Sequence, residues 1–340
     1  VNDILTITEF LLQTGAQVRF FDLGRRITEI PLDTMHAIEQ GQTPYPQPFQ
    51  QHAWLGIVFR YSDDEQQQIW FIKLPLDEQG LLAPAARDDF LRRVIERSTV
   101  PADKLPAEED NPHGFTPREE RMASFHARIA RLLGQAASHY YAPARQYFRG
   151  DLGYEQWNFV GLQGIADVAA RLDEDDNAAL LSGAIARLPA TPLAALCSCL
   201  ENECPDEQLA QALAARIGDA IAAADAAMVA AILRGLSNSG MRDQVVQSVL
   251  DTPLGSDVEV LAAIAGRAWE CLRQADIRRA FVENLARCPI GQHAFDSLLA
   301  DVLFIPGLRQ PLLDILRDRD NSPQLSQTAE HFFQHLQHKP

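Results

Sequence analysis

Beyond Thr116 the chain repeats a two-helix pattern, and that repetition limits what it can build more than any other feature. Four stretches align: DNAALLSGAIARLP (176–189), MRDQVVQSVLDTP (241–253), IRRAFVENLARCP (277–289) and LRQPLLDILRDRD (308–320). Val245, Val246 and Val249 fall on Phe281, Val282 and Leu285, and Leu312, Leu313 and Leu316 take the same places. Each stretch follows another apolar segment of helical period, at 157–172, 226–240, 258–272 and 294–303. LAALCSCLENE and DEQLAQALAARIGDAI supply a further pair. About five helix–turn–helix units result, roughly 30–36 residues apart, within the range of helical repeats. One such unit cannot bury its apolar face alone, whereas stacked neighbours share it. Ala and Gly are frequent on the first helix of each pair, which permits close approach. The expected architecture over 118–340 is an all-α domain of HEAT-like hairpins, an α-solenoid; an irregular helical bundle is the alternative. Thr116 is placed to cap the first helix, with Pro117 at its first position and Glu119 three residues after the cap.

The first hundred residues follow different periods. Thr6 and Glu9 fit a capping box ahead of FLLQ, with Gly15 as the stop. QVRFFDLG (17–24) reads as a strand and PLDTMHAIEQG (31–41) as a short helix begun by Pro31. WLGIVFRY (54–61) and IWFIKL (69–74) are β-branched and aromatic, and the polar SDDEQQQ between them predicts an antiparallel hairpin. Ile69 and Phe71 share one face of the second strand and Trp70, Ile72 and Leu74 the other, so both faces are expected to be covered. ARDDFLRRVIERS (86–98) is an amphipathic helix with Phe90, Leu91, Val94 and Ile95 as its buried stripe. The result is an α+β domain over 1–98, a small antiparallel sheet with helices. A proline-rich acidic linker follows over 99–117.

PYPQPFQQHAWLG (44–56) joins the second helix to the hairpin. Pro44, Pro46 and Pro48 cannot continue a helix and bias their predecessors to extended geometry. Tyr45 and Phe49 are expected to pack as this stiff bridge crosses the core edge. Gln50, Gln51 and His52 are read as the start of the strand, and Gly56 as a bulge or close approach.

The formal charge of −16 excludes nonspecific nucleic-acid binding, which needs cations to displace counterions, and an anionic membrane surface. The excess is not confined to one part: residues 1–115 carry 10 Lys+Arg against 18 Asp+Glu, the remainder 20 against 28. No run of about 20 apolar residues is present to span a bilayer. The odd number of cysteines, Cys197, Cys199, Cys204, Cys271 and Cys288, reads as free thiols in a reducing cytoplasm.

Candidate chemistry is sparse. CSCLENEC (197–204) has three cysteines, but Cys197 and Cys199 diverge on a helix, and the expected role is buried packing rather than metal binding. His331, His335 and His338 share a helical face without the glutamate of a zinc-protease motif, and no metal or cofactor is expected. FDLGRR (21–26) sets an arginine pair beside a glycine, able to hold a carboxylate or phosphate or to pair internally. His52 and Trp54 complete a candidate ligand site with Arg25 and Arg26, placed by expectation between the two domains. No nucleotide-binding glycine motif occurs, and no nucleophile, base and acid stand at diagnostic spacing.

FDLGRR, PYPQPFQQHAWLG and IWFIKLPLDEQGLL, with the helical remainder, resemble an uncharacterised bacterial family filed as a domain of unknown function. The resemblance spans the chain and implies a cytoplasmic bacterial protein without an established activity. Two functions are expected from the sequence. The first is a noncatalytic scaffold that presents its helical surface to another protein. The second is an enzyme or anionic-ligand sensor acting at Arg25, Arg26, His52 and Trp54.

Overall fold

The computed structural model describes residues 6–61, 66–99 and 111–337. The chain divides into two compact units, Val1–Pro117 with Phe304–Pro306, and Arg118–Leu303 with Gly307–Pro340.

The first unit holds an antiparallel sheet ordered β2-β1-β3-β4, built from β1 (Gln17–Asp22), β2 (Thr28–Ile30), β3 (His52–Arg60) and β4 (Gln68–Pro75). Pairing sets Phe20 opposite Ile57, and Leu55 opposite Ile72. Alternation then turns Ala53, Leu55, Ile57 and Phe59 to one face. There they join one core with Ile7 and Leu11 of α1 (Ile7–Gln13), Met35 and Ile38 of α2 (Leu32–Glu39), and Phe90 and Leu91 of α3 (Pro84–Thr99). Helix α1 is short, and its first-turn N–H groups are all answered. Thr6 and Glu9 form the capping box. The buried Glu39 carboxylate accepts from Ile7 N at 2.7 Å and Thr8 N at 3.1 Å. A seven-residue helix depends on such partners because its own ladder is too short to sustain it.

Several expectations for this unit need correction. Ile95 is 45% exposed rather than part of the buried stripe of α3, which ends with the half-buried Val94. Gln50 and Gln51 do not belong to the strand. They are the left-handed centre of a two-residue turn (φ 50° and 61°) closed by mutual hydrogen bonds of Phe49 and His52. That geometry matches the twist of the flanking strands, although glycine or asparagine usually supplies it. Gly56 makes no bulge and pairs in register with Phe21 and Phe71. The end of the expected linker is part of the sheet's border: Lys73 N donates to His113 O at 2.7 Å, and Phe115 N to Phe71 O at 3.2 Å. Phe115 also packs against Phe71, which helps cover the second face of β4. Residues 100–110 of that segment, and most of the polar turn at 62–65, lie outside the described residues.

The described part of the second unit contains α4 (Glu119–Leu132), α5 (Tyr141–Arg149), α6 (Leu162–Ala169), α7 (Asn177–Ile185), α8 (Ala190–Leu200), α9 (Glu207–Ala222), α10 (Ala226–Leu236), α11 (Arg242–Leu250), α12 (Val258–Arg267), α13 (Ala275–Ala286), α14 (Gln292–Leu303), α15 (Arg309–Leu316) and α16 (Pro323–Gln337). Thr116 does not cap α4. The chain stays extended through Arg118, which serves as the N-cap without a side-chain bond, because residues just before it are drawn along β4. Aspartates cap later helices: Asp206 accepts from Leu209 N, Asp225 from Met228 N and Asp257 from Glu259 N. Part of the acidic excess thus answers orphan N–H groups.

Helices pack on the second helix along. α6 lies on α4, α8 on α6, α10 on α8, α12 on α10, α14 on α12 and α16 on α14; α5, α7 and α9 form a parallel series, as do α11 and α13. The aligned apolar positions are the buried ones: Val245, Val246, Val249, Phe281, Val282, Leu285, Leu312 and Leu316, with Leu313 half-buried. Small residues set two close approaches. A Cβ on Gly235 of α10 would stand 3.0 Å from Cys197 Sγ of α8. A Cβ on Gly164 of α6 would stand 2.4 Å from the Tyr140 carbonyl oxygen.

That second contact is with backbone and cannot be relieved by a rotamer change. Gly164→Ala is therefore expected to destabilise the protein by about 1–3 kcal/mol. Gly183→Ala, on a helix with nothing within 4 Å of the new methyl, should be neutral or stabilising by up to about 1 kcal/mol. Urea unfolding midpoints of the two variants check the pair; equal shifts would contradict it.

Candidate functional site

Arg25, His52 and Trp54 are brought to one place, around Phe49. Arg25 is fully buried; its Nε–H donates to Pro48 O at 2.7 Å, and its guanidinium lies 5.6 Å from the Phe49 ring centre. Trp54 Nε1–H donates to Phe49 O at 2.9 Å. Its ring meets Phe115 edge-on at 4.9 Å and Lys73 Nζ at 4.9 Å. His52 sits 6.4 Å from Trp54, ring to ring, with Nδ1 2.6 Å from Gln50 O. Arg26 is largely buried.

Asp22 organises the other end of this arrangement. Its carboxylate accepts from Gly24 N at 2.8 Å and from the hydroxyl of the buried Tyr45. Burial first, and the Asp22 charge second, push the Tyr45 phenol well above its ordinary range, so it stays a donor. Gly24 is small for a packing reason: a Cβ there would lie 3.0 Å from Phe49 Cβ. FDLGRR and PYPQPF therefore interlock. Arg25 of the first satisfies the Pro48 carbonyl of the second, whose prolines leave fewer backbone donors to do so themselves.

The cysteine and histidine clusters form no metal group among the described residues. Cys197 and Cys199 are buried, and burial pushes both thiols up to about 12; Cys204 is exposed. His335 Nδ1 lies 2.7 Å from Asp296 Oδ2, and His338 lies outside the described residues.

A buried charge cluster lies in the second unit, around Glu201 at the end of α8. Its side chain is 3% exposed and meets three guanidiniums: Arg121 Nη2 of α4 at 2.7 Å, Arg234 Nε of α10 at 2.8 Å and Arg267 Nε of α12 at 3.1 Å. Arg128 of α4 pairs with Glu203 at 2.8 Å alongside and also donates to Asn202 O. Burial opposes the charge on Glu201, but Arg267, Arg121 and Arg234 together outweigh it and hold the carboxyl below its ordinary 4.5. Glu203 shows the other balance, since burial exceeds the pull of Arg128 and raises it.

A family model matches residues 2–333, nearly the whole chain. The chain belongs to the protein family of unknown function DUF3549. No curated protein and no solved structure matches it.

Sequence reasoning passed over the Glu201 cluster while carrying the signal for it. Arg234 follows Glu201 by 33 residues and Arg267 by 66. Glu201, Arg234 and Arg267 of this DUF3549 chain thus stand at equal intervals of 33 residues. CSCLENEC stands out in the sequence for its cysteines, and Glu201 lies inside it.

Removing the carboxylate would leave three guanidiniums facing one another. Glu201→Gln is expected to cost about 3–5 kcal/mol near neutral pH. Because the folded carboxyl is depressed, its contribution is present above pH 4.5 and is lost as the pH falls below that value. Chemical unfolding of both proteins across this range should show the gap narrowing in acid; a constant gap would contradict the assignment.

Proposed function

We propose that the chain is a noncatalytic docking scaffold of the bacterial cytoplasm, its second unit a HEAT-like α-solenoid that presents a surface to another protein. The observation that carries this reading is an exposed apolar segment between α5 and α6. Phe159 is 79% exposed and Leu152 52%, on a connection with no buried residue from Tyr154 to Phe159. Tyr140, 45% exposed, packs close to Gly161 at the end of the same connection. Large side chains left in water on an ordered connection mark a contact surface. The 33-residue spacing from Glu201 to Arg234 and the packing of alternate helices support the repeat reading, since solenoids hold equivalent positions in line. Among the described residues no helix is long and apolar enough to cross a membrane.

The rival reading, an anionic-ligand site at Arg25, Arg26, His52 and Trp54, has less to stand on. Arg25 is buried and gives its Nε–H to Pro48.

Affinity purification from native lysate should return a stoichiometric protein partner with the wild-type chain. The double variant Leu152→Ser, Phe159→Ser should retain its thermal midpoint and lose that partner at least tenfold. Equal recovery by the two proteins, or no stoichiometric partner with either, would overturn the reading.

A further inference from the structure

In the arginine row on Glu201, Arg234 is the member with donors to spare. Three guanidiniums meet one carboxylate, in a chain whose net charge is −16. Among the described residues, Arg234 gives one hydrogen bond, from Nε to Glu201 Oε2 at 2.8 Å. Its side chain is 38% exposed, against 12% for Arg121 and 18% for Arg267. Glu201 thus fixes the Arg234 stem by its inner nitrogen and leaves the Nη1 and Nη2 edge open. The other acidic group acting on Arg234 is Glu120, which does so at a distance and without a hydrogen bond.

We propose that the open edge of Arg234, with Arg267 beside it on the same carboxylate, binds an oxyanion: a phosphate or a carboxylate. A guanidinium offers such a group two parallel N–H donors, a geometry lysine cannot reproduce. Here the arginine is pre-oriented by a buried partner, so less side-chain freedom is lost on binding. Arg234 Nε and Arg267 Nε meet the same Glu201 oxygen, at 2.8 and 3.1 Å, so two positive charges share one carboxylate and an added anion is favoured beside them. The ligand's source is either a free small anion or an acidic side chain of another protein. The proposal does not depend on the docking function, because a small anion binds whether or not a partner exists.

Calorimetric titration of the full chain with inorganic phosphate, and separately with a triglutamate peptide, tests it. Wild-type protein is expected to bind at least one of the two, and Arg234→Gln to bind it about tenfold more weakly. Arg149→Gln, an exposed arginine of α5 outside the row, should bind as wild type does. Binding of phosphate alone assigns a small anion, and binding of the peptide alone assigns an acidic segment. If Arg234→Gln lowers the thermal midpoint sharply, Arg234→Lys is read instead; it keeps the charge and loses the fork, and the same weakening is expected. No binding of either probe by wild type, or equal binding by the Arg234 variant, would overturn the proposal.

Discussion

The apolar stripe that most helices of the second unit share with the helix two along is the constraint from which most of its features follow. α8, α10 and α12 are amphipathic in the ordinary way, yet none has a core of its own. Leu196, Ile232, Leu236 and Ile264 are fully or almost fully buried only because neighbours stand on both sides. Close stacking then dictates small residues at the contacts. Gly235 faces Cys197 so closely that a methyl would crowd its Sγ at 3.0 Å, and the cysteine itself acts as a compact hydrophobe whose thiol burial holds neutral. The same stacking aligns polar positions. Glu201, at the end of α8, meets Arg234 of α10, 33 residues on. Arg267 of α12 meets the same oxygen, so one carboxylate answers both guanidiniums.

In the first unit, backbone satisfaction plays the comparable part. A proline-rich bridge is poor in N–H donors, so its carbonyls need partners from elsewhere. Arg25 and Trp54 supply them to Pro48 and Phe49, and Tyr45 ties the bridge to Asp22. An arginine pair beside a glycine invites a ligand-binding interpretation. Here the glycine is small to admit Phe49, and the first arginine is an internal donor.

Most of the architecture was legible in the sequence because it rests on periodicity. The β3–β4 hairpin, the capping box at Thr6 and Glu9, and the helical character of the second unit follow from local patterns. Failures fell where tertiary contacts override local preference. Gln50 and Gln51 adopt a left-handed turn that their residue type disfavours, because the Phe49–His52 pairing requires it. Residues 113–115 read as linker by composition, yet their backbone extends the sheet beside β4. The Glu201 cluster was hidden for another reason. Its members come from four helices far apart in sequence, and no local pattern joins them.

The central claim is that the helices of the second unit are stabilised by their neighbours in file rather than by one common core. Hydrogen exchange of wild type and Leu299→Ala, a buried position in α14, tests it most directly. Nearest-neighbour stabilisation predicts that protection falls in α12, α14 and α16 and stays at the wild-type level in α4, α5 and α6. A loss of equal size in every helix from α4 to α16 would contradict the account.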